Sequence, residues 1–64
     1  MKEDNSYMIK ERVFVSWNGK RWPAEIVGRL NGFATVAILD NGPCFEFSWP
    51  TVRRALLENR VLFA

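Results

Sequence analysis

The sequence predicts an all-β fold: a small barrel of four to five antiparallel strands with a short C-terminal helix or 3₁₀ turn. Three observations carry this. Asn-Gly pairs recur at Asn18-Gly19, Asn31-Gly32 and Asn41-Gly42. The runs between them alternate apolar and polar residues with the period of a strand. After them, Ser48-Trp49-Pro50 opens a segment whose apolar residues, Val52 and Leu56, fall four apart, as on one face of a helix.

Asn-Gly tolerates the positive φ angles of tight hairpins, so three such pairs imply four strands in an antiparallel meander. The first is expected over Arg12–Trp17, with Val13 and Val15 on one face and Phe14 and Ser16 on the other. The second is expected over Trp22–Leu30, where Ala24 and Ile26 oppose Glu25 and Val27. Pro23 suits a strand end, where a missing N–H is tolerated. Gly28 marks a bulge or sharp bend of the kind a small barrel needs. The third strand, Phe33–Leu39, offers Val36 and Ile38. The fourth, Cys44–Trp49, offers Phe45 and Phe47, with Glu46 opposite. Pro50 fits a first helical position, so a helical turn is expected over Thr51–Leu57. A short fifth strand could follow. The tail Val61-Leu62-Phe63 either closes the barrel or pairs with a second copy. Residues 1–9 are polar and read as a flexible N-terminal segment, leaving residues 10–64 as a single domain.

Composition excludes several classes of function. The chain has 64 residues, 48% hydrophobic and 25% charged, which fits one small globular unit. It contains no histidine, the commonest general base and metal ligand. A single cysteine, Cys44, permits no internal disulfide, and without histidine it cannot complete a zinc site of the Cys/His type. Cys44 itself reads as a partly buried small residue. No cofactor, metal or catalytic residue is expected. MKEDNSYMIK has no hydrophobic stretch and does not read as a signal peptide, and no apolar run is long enough to cross a bilayer. A cytoplasmic protein without membrane contact is the expectation. Net charge is +2, and from Lys10 to Arg60 eight cations face five anions, a surplus of three. That balance is mildly basic.

Four short strands, tight turns and a late helical turn describe an SH3-like barrel, and the residues resemble a family within that class. Val13, Val15, Trp17, Gly19, Trp22, Pro23, Ala24 and Ile26, then Val36, Ile38, Leu39, Asp40, Asn41 and Gly42, then Val52, Arg53 and Arg54 resemble the pattern of Tudor-type domains. The Trp22-Pro23-Ala24 piece is also similar to PWWP domains. The resemblance spans about residues 10–56. It implies a binding module: many such domains hold a methylated lysine or arginine in an aromatic cage, and some bind nucleic acid beside it. It places Trp17 and Trp22 at two cage positions and Asn41 at the polar position that contacts the ammonium. The two other cage positions fall at Leu39 and Pro43, which are not aromatic here. A weaker similarity, through Arg12-Val13, Trp22 and Ile26-Val27-Gly28, is to the barrel of type II dihydrofolate reductase, an oligomeric enzyme. Its catalytic Val-Gln-Ile-Tyr motif has no counterpart at Glu46-Phe47-Ser48-Trp49, and the chain contains no glutamine.

The leading expectation is therefore a non-catalytic binding module centred on Trp17, Trp22 and Asn41, with Lys20, Arg21 and Arg53 as a basic rim. Aromatic faces beside cations suit a nucleic-acid strand, because bases stack and phosphates are neutralised. The packing alternative makes the two tryptophans a cap on the barrel end. A protein-interaction module, either a peptide reader or a small adaptor or inhibitor of a larger complex, is the second expectation, and strand edges or the C-terminal tail are candidate self-association surfaces. A reductase-like enzyme assembled between subunits is the third.

Overall fold

The computed structural model describes residues 10–64, so the expectation for residues 1–9 lies outside it. Five strands and one helix follow in order: β1 (Arg12–Trp17), β2 (Lys20–Leu30), β3 (Phe33–Ile38), β4 (Cys44–Ser48), α1 (Trp49–Leu57) and β5 (Val61–Phe63). They form one sheet in the order β4-β3-β2-β1-β5. The sheet curls into a half-barrel with the general shape of an SH3-like barrel. β1 to β4 are an antiparallel meander, as expected. β5 instead adds parallel to β1, pairing Phe14 with Val61 and Val15 with Leu62. A parallel partner needs a crossover, and α1 provides it.

Two of the three turns match their Asn-Gly signal. Asn18 and Gly19 both have positive φ (54° and 73°), as do Asn31 and Gly32 (52° and 81°), the signature of a type I′ hairpin. The third turn differs. Positive φ falls on Asp40 (64°) and Asn41 (65°), one residue earlier than the Asn-Gly pair. Ile38 N–H donates to the Pro43 carbonyl at 3.0 Å, closing a longer loop. Gly42 serves close packing instead: a Cβ there would stand 2.5 Å from Ile38 Cγ2.

The register between β2 and β3 runs Ile26 to Val36, then Gly28 to Thr35, so Val27 is the extra residue of a β-bulge. One extra residue reverses the alternation of faces. Ala24 and Ile26 face the concave side before the bulge, and Arg29, paired with Ala34, faces it afterwards. Pro23 lies within a central strand. Phe14 N–H turns away from it to the Arg60 carbonyl at 2.8 Å, and the Pro23 carbonyl accepts from Leu39 N–H at 3.0 Å. The missing Pro23 N–H faces Leu39, just past the end of β3, so only the reciprocal bond of that last rung is lost.

The buried core is small and aliphatic: Val13, Val15, Ala24, Ile26, Ala34, Val36 and Ile38 from the sheet, Val52 and Ala55 from α1, and Leu62 from β5. The expected inward faces of β1, β2 and β3 all supply it. Phe45 and Phe47, expected within it, are half-buried at its border. Cys44, expected to be partly buried, is exposed, because its pairing with Ala37 turns it to the convex face. β4 ends at Ser48 rather than Trp49, and α1 starts two residues before the expected turn. Pro50 in the first helical turn requires no intrahelical N–H partner, and Trp49 N–H instead donates to the Gly32 carbonyl at 2.7 Å. Beyond α1, Arg60 has a positive φ of 60°. Its backbone is nevertheless satisfied on both sides: the N–H donates to the Ala55 carbonyl at 2.6 Å and the carbonyl accepts from Phe14. Its guanidinium reaches the Arg12 carbonyl at 3.1 Å and Glu11 Oε1 at 3.2 Å, tying β5 to the start of β1.

These two glycines give opposite expectations. Gly42→Ala forces a methyl into Ile38 and is expected to destabilise the fold by about 1–3 kcal/mol in urea unfolding. Gly28→Ala, where a Cβ meets nothing within 4 Å, is expected to be neutral or to stabilise by up to about 1 kcal/mol, through the unfolded chain.

Candidate aromatic binding surface

The type I′ turn at Asn18-Gly19 decides where the two tryptophans stand. It pairs Trp17 with Lys20 and Val15 with Trp22, which puts Trp17, Lys20 and Trp22 on the concave face. The tryptophans are diagonal neighbours there, with ring centroids 5.7 Å apart and planes tilted by 52°. Trp22 Nε1–H donates to the Trp17 carbonyl at 3.0 Å. That bond locks the Trp22 ring and occupies its only donor. Lys20 Nζ lies 4.6 Å from the Trp22 ring centroid, within cation–π range.

The row continues across the curl of the sheet. Phe45 on β4 meets Trp17 edge-on at 5.6 Å and 62°, and Phe47 lies 6.4 Å beyond Phe45. Trp22, Trp17, Phe45 and Phe47 thus form one continuous series of rings, all half-buried and packed on the aliphatic core. Each ring gives one side to the core and keeps part of another toward solvent. At the opposite end of β2, the bulge brings Arg29 over the Trp49 ring at 4.2 Å.

The other expected site residues are placed as follows. Asn41 is exposed in the β3–β4 turn. In an antiparallel meander that turn lies at the same end of the sheet as the β1–β2 turn, so Asn41 and the tryptophans share one end of the barrel. With φ 65°, Asn41 also shapes its loop. Arg21 pairs with Ser16, and its side chain leaves on the convex face, away from the rings. Arg53 is exposed on α1. Of the two positions that resemblance assigned to further cage residues, Leu39 lies opposite Pro23 at the end of the sheet and Pro43 is exposed.

Sequence reasoning assigned Phe45 and Phe47 to the core and so left out half of the ring series. The alternation in Cys44–Trp49 puts them on the inward face. What it lacked was the curl that carries that face to Trp17. The Arg29–Trp49 stack was missed for two local reasons, the parity change at Val27 and the assignment of Trp49 to a strand.

No family model, curated protein or solved structure matches this chain. The fold and the surface together define a small half-barrel with a ring-lined concave side and a cation over a ring at each end of β2.

The indole bond is testable by itself. Trp22→Phe keeps a ring in place but removes the donor to the Trp17 carbonyl. It is expected to cost about 0.5–1.5 kcal/mol in denaturant unfolding, with a change in the near-ultraviolet circular dichroism of the two remaining tryptophans, Trp17 and Trp49.

Proposed function

We propose that this chain is a non-catalytic binding module whose concave aromatic surface takes a single-stranded nucleic acid. The observation that carries the reading is the unbroken series Trp22, Trp17, Phe45, Phe47 with centroids 5.6–6.4 Å apart and part of each ring open to solvent. Bases stack on such faces without regard to sequence, at about 1–3 kcal/mol per base. Lys20 covers one face of Trp22, an exposed cation–π contact worth only about 0.5–1 kcal/mol. A stacking base outcompetes it and releases the ammonium toward the adjoining phosphate. The surplus of three positive charges between Lys10 and Arg60 favours a polyanion over other ligands. The resemblance to Tudor-type and PWWP domains points the same way in general terms, toward a binding surface built around Trp17, Trp22 and Asn41. With Phe45 in place of an aromatic residue at Leu39 or Pro43, the rings form a row rather than a box, which suits a strand better than a methylated ammonium.

A protein-interaction module is the second reading. The convex face favours it, because Val61, Phe14 and Pro23 lie side by side across three strands, with Phe14 45% and Phe63 72% exposed. Apolar residues collected on one exposed face are a common mark of partner surfaces.

Titration with a twelve-nucleotide oligothymidylate at low salt separates the two. The first reading expects quenched tryptophan emission and shifted amide resonances at Trp17, Trp22 and Phe45; silence in both sinks it and favours the second. Lys20→Ala is expected to lower the slope of log affinity against log salt by about 0.7. Arg21→Ala, on the other face, is expected to leave that slope unchanged.

A further inference from the structure

Beyond the concave surface, we infer that the free edge of β4 is a docking site for an extended polypeptide segment carrying a lysine or arginine between apolar residues. β4 is the outer strand of the sheet. Ile38 N–H donates to the Pro43 carbonyl and Trp49 N–H to the Gly32 carbonyl, so the odd-numbered residues of this stretch face β3. The backbone groups of Cys44, Glu46 and Ser48 therefore point outward. Among the described residues no backbone or side-chain bond takes the N–H and C=O of Cys44 and Glu46 or the N–H of Ser48. The Ser48 carbonyl belongs to the start of α1. Five unpaired groups at strand spacing are matched by one kind of ligand, another strand.

The side chains specify which strand. On the concave side a docked segment lies beside Phe45 and Phe47, which favours apolar residues. On the convex side it meets Glu46, whose neighbour on β3 is Thr35 and which forms no ion pair among the described residues. A cation directly opposite Glu46 completes that position.

A second copy fits less well. Two β4 edges paired antiparallel about Glu46 set the carboxylates directly opposite each other, which is destabilising. The other free edge, on β5, is only three residues long, and Asn59 Oδ1 already accepts from its first outward amide, Val61 N–H, at 3.1 Å.

The probe is a blocked heptapeptide, Ser-Thr-Val-Lys-Val-Thr-Ser, and its counterpart with Glu for Lys. Both are titrated into the full chain in 150 mM salt and read by amide shifts and hydrogen exchange. Slowed exchange at Cys44, Glu46 and Ser48, with the Lys peptide preferred, is the expected result. Glu46→Lys changes an exposed side chain and is expected to shift the ratio of the two affinities by about fivefold toward the Glu peptide. Glu46→Pro, which removes an outward N–H and spares the β3 ladder, is expected to abolish protection by either peptide. Three results would overturn the inference. One is no protection with millimolar peptide. Another is shifts confined to Trp17 and Trp22. The third is protection that rises with protein concentration in the absence of peptide, which assigns the edge to a second copy.

Discussion

Trp17 and Phe45 belong to strands three places apart in the sheet, yet their ring centroids are 5.6 Å apart. A flat sheet would separate such strands by roughly 14 Å. The contact therefore exists only because the sheet curls, and much of the remaining structure is a consequence of that curl. It encloses Ile26, Val36 and Val15 completely, in a core whose buried residues are all aliphatic. It leaves one open side for α1 to cross, and α1 delivers Val52, Ala55 and then Leu62 into the same core. The bulge at Val27 supports the bend, because an extra residue on one strand increases local twist.

The rings at the border of this core give one face to the core and, in the function proposed above, another to a ligand. Ring pairs at these separations contribute about 0.5–1.5 kcal/mol beyond simple burial. A 64-residue chain has little surplus stability, so contacts of that size matter to it. The same rings are held in fixed orientation by the core beneath them and, for Trp22, by the bond to the Trp17 carbonyl. A surface ordered in advance loses little side-chain entropy when a ligand arrives. The proposed binding therefore requires no change of shape in the protein.

The two edges of the half-barrel are handled differently. β5 is short, tied to β1 through Arg60, and shielded at its first amide by Asn59. β4 is longer and its outward amides are open, but Glu46 stands at its middle. A charge at the centre of an open edge discourages pairing of identical edges while leaving a complementary strand free to pair.

Much of the fold was legible in the sequence because its signals are local. Asn18-Gly19 and Asn31-Gly32 specify type I′ turns through their own φ preferences, and alternation in β1, β2 and β3 assigns the inward residues. Gly28 pointed to a bulge, and Pro50 to a helix start. Local signals failed where two residues compete or where parity changes: Asp40-Asn41 took the turn because Gly42 is needed against Ile38, and Val27 reversed the faces beyond it. The candidate surface was legible only in part, as Trp17, Trp22 and Lys20. Phe45 joined them through the curl, Arg21 was removed to the convex face by strand register, and Val61-Leu62-Phe63 became a parallel partner of β1. The sequence by itself thus determined the hairpins, the strand faces and the aliphatic character of the core, since these depend on neighbours along the chain. Which rings share a surface and which strand edges stay open were decided only by the tertiary structure, because both depend on how far the sheet bends and on where distant strands come to rest.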